Sequence, residues 1–466
     1  MKKTILLISI AIIHTVSLTS QWQENVRLTS NSGHSFTSHP NGRSISANGD
    51  IIHVVWNNGN IYYKRSSNGG ADWQPDIRIT EGNYQPTAPS VLSAHGIVHI
   101  IWYSNQSGND EIYYKRSTDN GLSWGTEVQL SSTPLSSHNP AIFASKENGN
   151  VYVVWQEEFS ITHAEILFRC STDSGVSWRV LSKLTSYAAN KQNPLVFGSG
   201  ENVHVTWGDA RNGNSEIYYS RSTDGGLGWE SDVRLTNNSI QKAPGSIAGS
   251  GSNVHIIWHD RSSGTYNDEL YYKRSTDSGL SWSDNIRLTN YAGSTESPNL
   301  FADGSMLHIA WVDGRFGNPE ILYKVSADAG LNWGADVRLT WTSATSDRPF
   351  ISASGEKVHV VWHDYLSGTA QVYYKRNLTG NIVSITGSSS VFPVHFSLSQ
   401  NYPNPFNPTT NFEFRIADFG FVNLTIYDAM GRVIETLQNG ELKPGVYKAE
   451  WNASGYPSGV YFYKLS

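Results

Sequence analysis

The sequence has little of several features that define common protein classes. Its 466 residues contain a single cysteine, Cys170, so no disulfide can form within the chain. Charged residues make up only 16% of the chain and the formal net charge is −6, which gives no electrostatic reason to expect a nucleic-acid partner. Long runs of helix-forming residues at a 3.6-residue period are absent, which argues against a helical protein.

Aromatic residues and glycine are abundant instead. The chain has 16 Trp, 24 Tyr and 41 Gly, a composition typical of many short strands joined by tight turns. The first 20 residues, MKKTILLISIAIIHTVSLTS, combine two lysines, an apolar run and small polar residues. This pattern indicates a signal peptide, with an uncleaved membrane anchor as the alternative. We therefore predict an exported all-β protein with no membrane span in the mature chain.

One octapeptide recurs six times along the chain. It reads STDNGLSW at Ser117–Trp124, and the other copies are STDSGVSW, STDGGLGW, STDSGLSW and the looser SSNGGADW and SADAGLNW. Because a catalytic site is normally built once per domain, six copies indicate architecture rather than catalysis. Two further series keep the same period: apolar runs that end in Trp, such as VHVVW, and runs related to EIYYKRS.

Each repeat reads as four strands, A to D, and the seven repeats predict a seven-bladed β-propeller. Strand A follows a proline, B is the VHVVW run, C is the EIYYKRS run and D is a run such as DVRLT. The seventh repeat lacks the octapeptide and strand D, but WQENVRLT at Trp22–Thr29 supplies a matching strand from the other end of the chain. We predict that this N-terminal strand pairs with the strand ending at Arg376 and closes the ring.

The octapeptide pattern S-x-D-x-G-x-x-W resembles the Asp box, or BNR repeat, of the sialidase-like β-propellers, over about residues 21–376. Sialidases, other glycosidases, lectins and sorting receptors share the motif, so the resemblance implies a fold more than an activity. Sialidases of this superfamily have six blades, which weakens the direct analogy. We predict a structural role in the C–D turn for the box residues Asn68, Asp119, Asp173, Asp224, Asp277 and Asp328.

Ligand contacts are expected on the face opposite the boxes, where the B–C and D–A loops meet. Function should show in residues that do not repeat, and aromatic faces with scattered charge suit the hydroxylated surface of sugars. The predicted ligand-binding rim consists of Trp341, Tyr84, Tyr187, Tyr291, Arg348 and Lys191. The alternative is that these loop residues only cap neighbouring blades.

The resemblance to sialidases implies three arginines, a Tyr nucleophile paired with Glu, and an Asp acid/base. No unique Tyr–Glu pair is evident, and the weak catalytic candidates are Arg43, Glu157, Glu158, Arg211, Arg315 and Tyr365. We therefore predict binding of glycans or cell-surface polymers without catalysis. A sialidase-type glycoside hydrolase is the first alternative and a protein-interaction scaffold the second. No cofactor and no metal site are predicted, and the sequence does not show whether calcium is bound.

The C-terminal part differs from the repeats. The run QNYPNPFNP at residues 400–408, followed by IYDAMGRV and SGVYFYKL, resembles the type A C-terminal sorting domain of type IX secretion cargo. The resemblance implies a small Ig-like β-sandwich, contact with the type IX machinery, and delivery to the outer-membrane surface of a Gram-negative bacterium or to the medium. Such domains usually continue through a final strand, so truncation at the C-terminus is an alternative to a complete domain. The predicted boundaries are 1–20 for the signal peptide, 21–377 for the propeller, 378–395 for a linker and 396–466 for the sorting domain.

Overall fold

The computed structural model describes residues 22–378 apart from 40, 83, 161, 188, 238–241, 261–267 and 292, and residues 397–466 apart from 417–419 and 443–444. The chain divides into two compact units, Met1–Val383 and Ser384–Ser466. Across the described ranges the secondary structure consists of strands and turns, and no helix suited to crossing a bilayer occurs there. The predicted signal peptide and most of the predicted linker lie outside these ranges.

The first unit consists of antiparallel sheets of four strands, which we number as blades in chain order. Strand β1 (Val26–Arg27) precedes blade 1, which holds β2 (Ile45–Asn48), β3 (Ile51–Asn57), β4 (Ile61–Ser66) and β5 (Ile77–Arg78). Blade 2 holds β6 (Thr87–Ala94), β7 (Ile97–Ser104), β8 (Glu111–Ser117) and β9 (Val128–Gln129). Blade 3 holds β10 (Ser136–Ala144), β11 (Val151–Ser160), β12 (His163–Ser171) and β13 (Ser182–Lys183).

The remaining blades repeat this arrangement. Blade 4 holds β14 (Lys191–Ser199), β15 (Asn202–Asn212), β16 (Asn214–Ser222) and β17 (Val233–Arg234). Blade 5 holds β18 (Lys242–Ser250), β19 (Asn253–Asp260), β20 (Glu269–Ser275) and β21 (Ile286–Arg287). Blade 6 holds β22 (Thr295–Asp303), β23 (Met306–Phe316), β24 (Asn318–Ser326) and β25 (Val337–Arg338). Blade 7 holds β26 (Ser346–Ser354), β27 (Lys357–Asp364), β28 (Gln371–Asn377) and, as its fourth strand, β1.

The A strands form the innermost layer of the unit. Each one contacts the A strands of the blades before and after it, in the order β2, β6, β10, β14, β18, β22, β26 and back to β2. The seven sheets are therefore arranged as a closed ring of blades around a central channel, as in a β-propeller.

The ring closes through the N-terminal strand, as predicted. Val26 pairs with Tyr374 and Arg27 with Tyr373, and a further bridge joins Trp22 to Asn377. The closing strand removes the open edge that blade 7 would otherwise present.

The histidines of strand B are buried structural residues. In blade 2 His99 Nδ1 lies 2.7 Å from the hydroxyl of Tyr114 on the next strand, and burial lowers the pKa of His99 to about 3. The same pairing joins His53 to Tyr63, His204 to Tyr219, His255 to Tyr272, His308 to Tyr323 and His359 to Tyr374. These imidazoles are neutral at pH 7 and belong to the interior of the blades.

The second unit contains two three-stranded sheets. Its strands are β29 (Ser397–Leu398), β30 (Thr409–Ile416), β31 (Gly420–Tyr427), β32 (Val433–Leu442), β33 (Gly445–Asn452) and β34 (Phe462–Leu465). One sheet has the order β29-β30-β33 and the other β32-β31-β34. Phe412, Leu424 and Trp451 belong to one buried cluster to which both sheets contribute, so the unit is a small sandwich with its own core.

Candidate functional site

The two faces of the propeller carry different turns. In blade 2 the box residue Asn120 donates its backbone N–H to the carbonyl of Gly96 in the A–B turn, at 2.9 Å. On the other face Ala210, near the B–C turn at the end of β15, donates its backbone N–H to the carbonyl of Asn190 in a D–A loop, at 3.1 Å. The boxes therefore share a face with the A–B turns, and the B–C and D–A loops share the opposite face, as predicted.

The box carboxylates are occupied by hydrogen bonds within their own turns. Oδ1 of Asp119 accepts the hydroxyl of Ser117 at 2.6 Å and the backbone N–H of Ser123 at 2.9 Å. Hydrogen bonds from Ser117 and then Ser123 hold the pKa of Asp119 well below its usual range. The hydroxyl of the first box serine bonds in the same way to the side-chain oxygen of Asn68, Asp173, Asp224, Asp277 and Asp328. All six box residues brace the turn.

At the opposite face, strand A begins with a β-bulge. Five residues that directly precede a blade-opening proline have positive φ angles of 49–51° although none is glycine: Ala88, Asn139, Asn193, Ser297 and Arg348. The strand register shifts at each of these positions. Non-glycine residues in this conformation are strained, and bulges of this kind redirect side chains beside functional sites. Because strand A is innermost, the bulges ring the end of the channel, which we call the channel mouth.

Polar side chains are connected at the channel mouth. Nδ1 of His39 lies 2.8 Å from the side-chain oxygen of Asn41, whose Nδ2 donates to the backbone carbonyl of Asn139 at 2.6 Å. Nδ2 of Asn139 lies 3.4 Å from Oε1 of Gln156. Burial lowers the pKa of His39, and Arg348 acts in the same direction. The mouth thus presents amide, imidazole and guanidinium groups, which suit hydrogen bonds to hydroxyl or carboxylate groups.

The aromatic candidates are exposed in the D–A loops on this same face. Trp341 is 64% exposed, and Tyr187, Tyr291 and Tyr84 are also exposed. We call these four residues the aromatic rim. The guanidinium carbon of Arg211 lies 4.3 Å from the centre of the Tyr187 ring, and that of Arg315 lies 3.6 Å from the centre of the Tyr291 ring.

The same two arginines are held by carboxylates. Nη2 of Arg211 lies 2.6 Å from Oδ2 of Asp209 and 2.7 Å from Oδ2 of Asp232. Arg315 bonds to Asp313 at 2.5 Å and to Asp336 at 2.9 Å. Burial opposes the charge of Arg211, but hydrogen bonds to Asp209 and Asp232 outweigh it and raise its pKa. Both guanidinium groups act as supports for the rim tyrosines rather than as free cations.

Lys191 does not belong to the ligand-binding rim, which corrects the prediction. Its side chain is fully buried, its Nζ lies 3.2 Å from Oε2 of Glu165, and it also donates to the backbone carbonyl of Ala164. A lysine at the start of strand A points inward because the ammonium compensates the buried carboxylate of the preceding blade.

The carboxylate candidates of blade 3 are also engaged. Glu157 is buried and accepts hydrogen bonds from the hydroxyls of Thr133 and Ser137. Glu158 lies 3.1 Å from Nδ1 of His138, whose Nε2 lies 2.8 Å from Asp110. Glu157 is therefore unsuited to contact a ligand, whereas Glu158 stays partly exposed.

Tyr365 and Arg43 lie apart from each other in the structure. The ring of Tyr365 packs near His34 and His363 in blade 7, with ring centres 6.3 and 5.8 Å away. Arg43 lines the central channel and donates from Nη2 to the backbone carbonyl of Ile247 at 3.4 Å. Among the described residues, no contact joins these two residues to Arg211 or Arg315.

The sequence did not point to Asp347, next to the strained Arg348. Burial raises the pKa of the Asp347 carboxyl, and its Oδ2 lies 3.8 Å from Nε2 of the buried His363. The signal in the sequence was its position, two residues before the proline that opens blade 7. Within the described residues, no group of three or more His, Cys, Asp or Glu side chains is arranged to hold a metal ion.

Comparisons with known proteins agree with this architecture. Residues 57–253 match the family model of the BNR repeat-like domain, and residues 400–466 match that of the secretion system C-terminal sorting domain. No curated protein matches the chain in sequence.

Solved structures share the propeller fold. A PL25 ulvan lyase is 13% identical with a TM-score of 0.56, over 75% of this chain and 95% of that chain. An α-L-arabinofuranosidase of Fusarium graminearum is 15% identical with a TM-score of 0.48, over 64% of this chain and 94% of that chain. The Hadza microbial sialidase Hz136 is 12% identical with a TM-score of 0.44, over 71% of this chain and 74% of that chain. At 13% identity the likeness to the ulvan lyase concerns the fold alone.

The sorting domain indicates export through type IX secretion, to the cell surface or the medium, and thus interaction with the secretion machinery. The strand pairing, the six boxes and the two family matches lead to the same assignment. The chain carries a β-propeller whose residues 57–253 match the BNR repeat-like domain, and a C-terminal sorting domain of type IX secretion at residues 400–466.

Proposed function

We propose that the propeller binds a glycan or another cell-surface polymer without catalysis, on the face that carries the aromatic rim and the channel mouth. The observation that carries this proposal is the exposure of Trp341, Tyr187 and Tyr291 in loops that interrupt the repeat. Exposed aromatic rings are suited to stack on the C–H faces of sugars. Isolated exposed aromatics need no explanation, but four on one face of a ring support a shared ligand.

The two arginines that pack against the aromatic rim favour binding of an extended ligand. Arg211 and Arg315 are each fixed by two carboxylates and lie against Tyr187 and Tyr291. A ring held in this way loses little conformational entropy when a ligand binds. The amide and imidazole groups of the channel mouth add hydrogen-bonding partners for sugar hydroxyls.

The same contacts argue against a sialidase-type reaction through the candidates from the sequence. A substrate carboxylate would have to compete with Asp209 and Asp313 for the two arginines, and Glu157 is buried within its own hydrogen bonds. Such a reaction requires arginines that are free to bind the substrate carboxylate and carboxylates that are free to transfer protons.

A binding experiment tests the proposal. The full chain and a Trp341→Ala variant are applied to an array of bacterial, algal and host glycans. We expect glycan binding by the full chain and at least roughly a fivefold loss in the variant, because stacking on an aromatic ring is worth about 1 kcal/mol. Leu331→Ala is the matched control, since Leu331 is 61% exposed on the box face and its loss should leave binding unchanged. An array without hits, or equal losses in both variants, contradicts the proposal.

A sialidase-type glycoside hydrolase remains the second candidate because of Asp347. A carboxyl whose pKa is raised by burial is suited to donate a proton to a leaving group. Turnover of fluorogenic sialosides or of a wider glycoside panel, lost in Asp347→Asn, would establish the hydrolase. The absence of turnover across the whole panel would exclude the hydrolase. Binding to proteins with no glycan bound would favour the interaction scaffold.

A further inference from the structure

The central channel contains a charged side chain that the proposed function does not use. Arg43 lies at the start of blade 1, and its guanidinium crosses to the carbonyl of Ile247 in blade 5. The surrounding residues come from five different blades: Asn41, Gly42, Ala141, Ile142, Leu195, Val196, Gly245, Ser246, Ile247 and Asn299. Arg43 therefore reaches from blade 1 across the channel to blade 5.

No counter-ion from the chain neutralises this arginine. In the part of the chain that the structure describes, no carboxylate lies within 4.0 Å of the Arg43 guanidinium, whereas Arg211 and Arg315 have two carboxylates each. Burial alone lowers the pKa of Arg43 to about 10, so the group stays charged at pH 7. Arg43 is partly buried, and a cation without a counter-ion attracts anions from the solvent.

Most hydrogen-bond donors of the Arg43 guanidinium have no partner among the described residues. The guanidinium has five N–H donors, and only Nη2 has a partner among the described residues, a long contact at 3.4 Å. Oδ1 of Asn299 accepts the backbone N–H of Ile351 at 3.0 Å, which leaves the Asn299 amide nitrogen as a donor on the cavity wall. The cavity is open enough for about one water-sized particle.

We propose that this cavity binds a small inorganic anion of chloride size, held by the Arg43 guanidinium and the Asn299 amide. The anion supplies the negative charge that the chain lacks there, and it contacts side chains of blades 1 and 6. A water molecule fits the space but cannot neutralise the charge. The bound anion therefore stabilises the closed propeller, and this role is separate from ligand binding at the aromatic rim.

Thermal unfolding in two salts tests the proposal. The full chain is heated in sodium chloride and in sodium isethionate at equal ionic strength and pH, since isethionate is too large for the cavity. We expect a higher unfolding temperature in chloride, by on the order of 2 °C, with a dependence on chloride that saturates. In Arg43→Met this difference should vanish. Arg78→Met is the control, because Arg78 is exposed and bonds only to Asn60 and Gly82, and it should keep the difference.

A bromide soak gives a readout that does not depend on a variant that folds. Crystals of the unmodified chain in sodium bromide should show an anomalous peak between Arg43 and Asn299. Identical unfolding temperatures in the two salts, or an anomalous map with no peak beside Arg43, overturns the proposal.

Discussion

At the scale of single residues, the box repeats because it joins neighbouring blades. The Trp124 ring lies edge-on to Tyr63 of the preceding blade, with ring centres 5.0 Å apart. Tyr63 in turn bonds to His53 within its own blade. A side chain at Gly121 would place its Cβ 1.8 Å from the Tyr63 hydroxyl. Glycine is thus required by packing between blades as well as by its φ of 84°.

Substitutions at two glycines separate the effect of packing between blades from the effect of the positive φ. Gly121→Ala should destabilise the propeller by roughly 2–4 kcal/mol, because the backbone strain adds to the overlap with Tyr63. Gly59→Ala is the matched control: its φ is 70° but no atom lies within 4 Å of the added Cβ, so only about 1 kcal/mol should be lost. Urea unfolding measures both values. Equal losses would show that the contact between blades contributes little.

At the scale of elements, the N-terminal strand is a full member of the ring. Trp22 lies edge-on to Tyr323 of blade 6, with ring centres 5.1 Å apart, just as Trp124 meets Tyr63. It therefore completes the series of box tryptophans although it lies some 350 residues before its partner strand in the chain.

Two tryptophan truncations test the role of this strand. Trp22→Ala should lower the free energy of unfolding by roughly 2–3 kcal/mol, since a partly buried aromatic contact is lost at the closure. Trp341→Ala should change it by less than about 0.5 kcal/mol, because Trp341 is exposed in a loop. Denaturant unfolding of both variants gives the comparison. A Trp22→Ala protein as stable as the Trp341→Ala protein would mean that the closure does not hold the ring together.

The strands and their pairing were largely predictable because the same strand pattern recurs in every repeat. Period, strand order and closure follow from the recurring Trp, Pro and box positions, and the structure agrees with them. The bulges were not predictable, because a positive φ at Asn139 or Arg348 accompanies a register shift between strands A and B that the local sequence does not specify. The burial of Lys191 was missed for a related reason. Its partner, Glu165, belongs to the preceding blade, and the sequence does not show which residues of two blades meet.

At the scale of the whole molecule, the two faces of the propeller have different tasks. One face carries the boxes, whose side chains bond within their own turns and pack against the preceding blade. The other carries the strained strand starts, Asp347 with its raised pKa, and the aromatic rim. Strain and a perturbed pKa on one face are typical of functional sites. The contrast between repeated and unrepeated residues predicted which face carries the boxes and which carries the candidate ligand contacts. It did not show which of the unrepeated residues lie close to one another.

Hydrogen–deuterium exchange of the full chain, with and without a glycan selected on the array, tests the central claim most directly. The account predicts slower exchange in the D–A loops that contain Tyr187, Tyr291 and Trp341 and in the strand starts at the channel mouth, with unchanged exchange in the box turns. Protection of the box turns, with none in the D–A loops, would contradict it.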